Sequence, residues 1–264
     1  MIEISPQIIQ LRREVSKTQY PALSQLTSHG IVIGVSHSAS RDQTHTFPLS
    51  EVNLRSESLA LEASSRFMAT SAQAHVIWNV IIDEFHLQET FASKKWDTFL
   101  SLFLEEHAAT HTLVLYYPWG VRYASDLLES IDALQMRSPL PVLVNAEHYT
   151  WKTPEVQKAM HSLKLQHVYM DAPHLPGLIK KSEYHTGRIA ILRCTGRNAK
   201  SWFEPNLEER YCYSYSQPEL CAIADRIIEL RDDHKKVYVT LCNRPASATV
   251  ANAIQLADEL QKRM

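Results

Sequence analysis

Between residues 147 and 198 the chain concentrates side chains able to do chemistry. Glu147, His148 and Asp171 can give and take protons, and Arg193, Arg197 and Asn198 can hold an anion. A guanidinium presents paired, charge-assisted donors in a fixed fork, which matches a carboxylate or phosphate. The expected ligand is therefore a small anionic or phosphorylated molecule. Trp151 and Trp202 are candidate walls for its site, and Asn243 adds an amide just beyond the last apolar run. Two structural readings stand beside these: Arg193 as the buried ion-pair partner of Asp171 or Glu147, and the tryptophans, with Trp119, as packing. Glu147, His148 and Asp171 also have donor types that suit a divalent cation, but their spacing is not that of a metal site, and no metal is predicted. No cofactor is identified. Cys194 reads as packing rather than as a nucleophile.

Such groups need a scaffold, and the apolar runs supply one. IVIGV (31–35), HVIWNVII (75–82), TLVLYY (112–117), LPVLVN (140–145), HVYMD (167–171), IAIL (189–192) and KVYVTL (236–241) read as buried strands. Most are separated by amphipathic segments: residues 51–72, 96–109, 123–134, 151–163, 218–232 and 246–262. Ser216, Pro218 and Glu219 supply helix-start chemistry. Strands alternating with helices predict parallel βα units in an α/β fold. A closed TIM-barrel-like (β/α) barrel, irregular in its N-terminal portion, is preferred to an open doubly wound sheet, because the turn after residue 35 lacks the glycine fingerprint of dinucleotide binding. The barrel needs an eighth strand, for which residues 2–4 are the candidate. Parallel strands bring their ends together, so Ser36, His37, Asp83, Glu84, Tyr116, Tyr117, Asn145, Glu147, His148, Asp171, Arg193 and Asn243 are expected to ring one face.

Length and composition set the outer limits. The 264 residues suit one domain of barrel size, and a net charge of -2 gives no global sign of nucleic-acid binding. The loosely basic stretch of Lys180, Lys181, Arg188, Arg197 and Lys200 is explained as well by a solvated face as by a nucleic-acid patch. The four cysteines form no C-x-x-C pair, and no apolar run is long enough to span a membrane. A cytoplasmic protein is expected. Oligomeric state is not readable from these features.

Four stretches taken together resemble the YecE-like family, known as domain of unknown function 72: VNAEHYTW (144–151), VYMDAP (168–173), ILRCTGRNAKSWF (191–203) with YCYSYSQPEL (211–220), and VYVTLCN (237–243) with NAIQL (252–256). The resemblance is clearest over residues 112–260 and implies a TIM-barrel-like fold for one domain across 1–264. Arg193, Gly196, Arg197, Asn198, His148, Trp151, Asp171 and Asn243 match the family pattern, whereas Asn145, Glu147, Thr195 and Cys242 depart from it at polar positions. The resemblance implies no settled reaction. Hydrolase, lyase or isomerase chemistry at the C-terminal face of the barrel, a non-catalytic ligand-sensing or partner-binding role, and action on nucleic acid are the functions left open, the last least favoured.

Overall fold

The computed structural model describes residues 21–36, 47–55, 59, 75–82, 91, 93–104, 110–179 and 187–264. Its strands are β1 (Ile31–Ser36), β2 (Leu49–Arg55), β3 (His75–Ile81), β4 (Thr110–Tyr117), β5 (Val142–Ala146), β6 (Gln166–His167), β7 (Tyr169–Asp171), β8 (Ile189–Cys194) and β9 (Lys236–Leu241). Every pairing is parallel, in the order β6-β5-β4-β3-β2-β1-β9-β8-β7. The two ends of that order are one stretch of chain. Only Val168 separates β6, which pairs with β5, from β7, which pairs with β8, and its N–H donates to the Val144 carbonyl at 2.8 Å. The sheet thus closes through a broken sixth strand, giving the TIM-barrel-like plan the sequence predicts.

The interior of a closed barrel is filled by inward side chains drawn from all of its strands, which here make an apolar layer. Val32, Leu49, Ile77, Val114, Leu143, Val168, Ile191 and Tyr238 form that layer, and they constitute a single apolar cluster. The outward residues of the strands pack under helices α1 (Pro21–Ser28), α2 (Lys94–Ser101), α3 (Ser125–Arg137), α4 (Pro154–Ser162), α6 (Gln217–Asp233) and α7 (Ala246–Gln261), whereas the short α5 (Leu207–Arg210) buries no residue. The start of α6 has the expected capping box, with Ser216 and Glu219 exchanging hydrogen bonds.

One expectation is corrected. Residues 51–72 read as a helix, but their first part belongs to β2, the eighth strand of the barrel. Leu and Glu are good helix formers, but propensity is a weak prior that burial in the sheet overrides. Val52 and Leu54 face the helix layer, while the alternate residues Leu49, Glu51 and Asn53 face the barrel axis. Because the upper interior is polar, this strand carries polar residues on its inner face, and in one dimension that resembles an amphipathic helix. The alternative strand at residues 2–4, and the remainder of 56–72 apart from Leu59, lie outside the described residues.

The break at Val168 also shapes the outer wall. A cavity of about 240 Å³ opens beside it, lined among others by Glu147, His167, Tyr169, Leu192, Ile223 and Arg226. Burial pushes the His167 imidazole down to about 4, outweighing a hydrogen bond to the Trp151 backbone. In the unfolded chain the ring titrates near 6.5, so below that pH the unfolded state takes up a proton that the folded state refuses until about pH 4. Stability is complete above pH ~6.5 and declines on acidification. Because one edge of the ring meets the cavity, screening trims the effect to about 1 kcal/mol between pH 7 and pH 5. Urea midpoints at the two pH values should show this loss in wild type and a smaller one in His167→Gln; equal losses would remove His167 as the cause.

Candidate functional site

The upper interior of the barrel, above the apolar layer, is polar and buried. Glu51 on β2 reaches across to Arg193 on β8: Nε donates to Oε2 at 2.9 Å and Nη2 to Oε1 at 2.8 Å. Thr240 on β9 adds a 2.9 Å bond to Oε2, and the Cys242 thiol lies 3.6 Å from Oε1. Burial would raise the Glu51 pKa, but the Arg193 charge and its hydrogen bonds prevail and hold the carboxyl below its ordinary value. Burial pushes the Cys242 thiol up to about 12, with the Glu51 charge adding to it, so the sulfur stays protonated.

A second ion pair sits higher in the mouth. Glu147, just past β5, accepts the Tyr116 hydroxyl at 2.5 Å, the Trp119 backbone N–H at 3.0 Å and Arg210 Nη2 at 2.7 and 2.6 Å. The Arg210 guanidinium lies 4.5 Å from the Trp202 ring centroid and 5.4 Å from that of Tyr211. Tyr116 connects the pairs, because its ring centroid is 5.3 Å from the Arg193 guanidinium. Burial, then the Glu147 charge, raises the Tyr116 pKa well above normal, and the phenol remains a donor. A third polar row, Asn79 to Asn53 at 2.6 Å and Asn53 to Ser36 at 2.8 Å, crosses β3, β2 and β1.

Against this saturated background a few atoms have no hydrogen-bond partner: Arg193 Nη1, Asn79 Oδ1, both polar atoms of the Asn145 amide, and Arg210 Nε. Asn79, Asn145 and Arg193 are 0%, 1% and 2% exposed. Asn145 stands opposite Tyr116 in the β4–β5 register, and Asn79 opposite Val114 in the β3–β4 register. Both amides therefore flank β4 on the inner face, beneath the arginine that covers Tyr116. Buried polar atoms left unmatched are uncommon and expensive.

A family model, "Protein of unknown function DUF72", matches residues 44–264, a span that contains every residue of this mouth from Glu51 onward. The chain belongs to the DUF72 family. Its barrel is similar to that of a DUF72 family protein from Thermotoga maritima, with TM-score 0.72 at 22% identity over 88% of this chain and 100% of that one. Two crystal structures of a DUF72 protein from Enterococcus faecalis give TM-scores of 0.68 at 16% and 17% identity, covering 88% of this chain and 95% and 98% of theirs. At such identities the likeness concerns the fold. No curated protein matches the sequence.

Within this DUF72 barrel the residues expected to form one site divide among several places, although Glu147, Asp171 and Arg197 all line the cavity beside Val168. Glu147 and Arg193 lie in the mouth, and Trp202 walls it from behind Arg210. The buried-pair expectation for Arg193 is corrected in its partner, which is Glu51 rather than Asp171 or Glu147. Asp171 instead binds Arg197, with Nη2–Oδ1 at 2.6 Å, and accepts the Tyr215 hydroxyl at 2.8 Å. Arg197 also reaches Glu219 at 3.1 Å, so this network ties β7 to α6 outside the barrel wall. Asn198 donates to the Glu209 carbonyl, and Asn243 bridges the Tyr213 carbonyl and Asn252. Trp151 lies in the helix layer, its indole N–H on the Val121 carbonyl and its ring 4.7 Å from that of Tyr117. His148 is on the rim, where its Nδ1 accepts the Thr150 N–H. Burial, then the Arg122 charge, lowers its pKa. His37, Asp83, Glu84, Lys180 and Lys181 lie outside the described residues. Among the described residues no group of three or more His, Cys, Asp or Glu could hold a metal ion, and no helix is long and apolar enough to cross a membrane.

Glu51, Asn53, Asn79 and Arg210 were not legible as site residues. For Asn79 a signal exists: a lone amide inside the apolar run HVIWNVI, at the parity of Ile77, which faces the barrel axis. Arg210 comes from a short helix in the β8–β9 connection and carries no local pattern.

Proposed function

We propose that the mouth of the barrel is a recognition site for a small polar molecule, held by Arg193 Nη1, Asn145 and Asn79. The observation that carries this reading is the group of unpartnered, buried polar atoms on Arg193, Asn145 and Asn79, in a mouth whose carboxylates are fully paired. Charge narrows the ligand. Each mouth arginine already faces a carboxylate, so the site is close to electroneutral, which supports an uncharged or singly charged ligand over a phosphate dianion.

Binding is favoured over acid–base catalysis by the state of the carboxylates. An ionised carboxylate offers about four lone-pair sites. Glu147 fills them with Tyr116, Trp119 and two contacts from Arg210, and Glu51 accepts two bonds from Arg193 and one from Thr240, with Cys242 alongside. Neither carboxylate has capacity left to take a proton from a ligand, so a ligand-sensing barrel accounts for the geometry better than a hydrolase, lyase or isomerase. The test is a thermal-shift panel of organic acids, polyols, sugars, amides and phosphorylated metabolites on wild type and Asn145→Leu. Uncharged or monoanionic compounds should raise the melting temperature of wild type alone; a shift produced only by phosphorylated compounds, or one that persists in Asn145→Leu, would refute the assignment. Incubating a stabilising compound with the protein and finding it unconverted separates sensing from turnover.

A further inference from the structure

Next to the mouth lies an aromatic surface that the residues discussed so far leave unused. Tyr149, His148, Trp119 and Phe203 follow one another, with ring centroids 4.7 Å apart for Tyr149–His148, 6.1 Å for His148–Trp119 and 4.8 Å for Trp119–Phe203. Three of the four are open to solvent: Trp119 is 40% exposed, and Tyr149 and Phe203 are 53% exposed. This shelf is anchored to the mouth. The Trp119 N–H is bound by Glu147, the carboxylate that also holds Tyr116 and Arg210. Gly177, at φ +84°, lies so close to the Trp119 indole nitrogen that a Cβ would stand 3.2 Å from it. Contiguous exposed aromatic rings beside buried polar groups are a recurring mark of binding surfaces.

We infer that the shelf and the mouth together form a carbohydrate site, in which a sugar ring lays its C–H face on Trp119 and Phe203 while its hydroxyls reach Asn145, Asn79 and Arg193. This rests on the reading of the mouth as a polar-ligand site. Three features favour this ligand class. Each hydroxyl both donates and accepts, and the unpartnered mouth atoms comprise both donors, on Arg193 and Asn145, and acceptors, on Asn145 and Asn79. The mouth is electroneutral, as an uncharged polyol requires. Neighbouring rings of the shelf already touch and are tilted by 34° to 55°, so no slot exists for a base to slide between them, whereas a sugar needs one open face.

The protein supplies its own reporter. Of its five tryptophans, Trp78, Trp96, Trp151 and Trp202 are 0% exposed, so collisional quenching of tryptophan fluorescence by acrylamide reads Trp119. Quenching is measured on wild type, Phe203→Ala and Asn145→Leu with D-glucose, D-xylose, N-acetyl-D-glucosamine and cellobiose. At least one should protect Trp119 in wild type, with affinity lowered about tenfold by Phe203→Ala through the lost stacking and protection abolished by Asn145→Leu. Phe203 is exposed, so its replacement leaves folding intact. If no saccharide protects while another polar compound stabilises wild type but not Asn145→Leu, the carbohydrate inference falls and the mouth assignment stands. If no compound does either, both fall. Protection that survives Asn145→Leu would show that the shelf binds independently of the mouth and would overturn the composite site.

Discussion

Replacing Arg193 with Ala is expected to destabilise the protein by about 3–5 kcal/mol, because it leaves Glu51 buried, ionised and without its partner. Typical domains are stable by only about 5–15 kcal/mol, so this variant approaches the unfolding limit. Glu51→Ala should be comparably damaging for the converse reason. Removing both charges is different: Glu51→Leu with Arg193→Met eliminates the desolvation burden along with the attraction, and should recover most of the loss. Urea unfolding of Glu51→Leu, Arg193→Met and their double measures the coupling, and an additive double mutant would contradict the pairing. The pair also sensitises the fold to acid. Since the folded-state pKa of Glu51 is depressed, its contribution is present above the ordinary carboxylate range and is lost as pH falls through the lowered value.

Gly34→Ala should be of similar size for a steric reason. Gly34 pairs with Leu49 in the β1–β2 register, and a Cβ there would stand 2.0 Å from the Leu49 carbonyl oxygen and 2.5 Å from its carbon. The obstruction is backbone, so no rotamer change relieves it. Strands β1 and β2 would have to separate, opening the barrel next to the strand that carries Glu51. A loss of about 3 kcal/mol or more is expected in chemical denaturation. A loss below about 1 kcal/mol would show that the close approach is not a constraint on the fold.

These two effects indicate where the sequence is informative. Strands such as KVYVTL and IAILRC are legible because both faces are covered, one by the barrel layer and one by helices, which demands continuous apolar residues. LSEVNLR violates that pattern since its inner face meets the polar mouth, so the strand supplying Glu51 reads as a helix. The same polarity that defines the site thus conceals one wall of it. Arg193 stands out at the end of its apolar run, yet its partner is 142 positions earlier, and no local spacing records a contact across a barrel. Asp171 and Arg197 were grouped with Arg193 because all three end strands or follow them. Side-chain parity separates them: Arg193 points inward, while Asp171 pairs outside with Arg197 and Tyr215. Trp151 follows Glu147 by four residues, but the intervening 3-10 turn (Tyr149–Lys152) carries it under the helix layer.

The most direct measurement of the mouth's purpose is made at Asn145. Asn145 is buried with neither amide atom partnered, an arrangement that lowers the stability of the free protein and that a binding role would account for. Leucine has the same branched skeleton, slightly bulkier, and no polar atoms to desolvate. Equilibrium urea denaturation of Asn145→Leu should therefore give a protein as stable as wild type or up to ~2 kcal/mol more stable, while the thermal shift from polar ligands disappears. Destabilisation by more than about 1 kcal/mol would show that the amide is a structural element of the barrel, and the recognition site would lose its central residue.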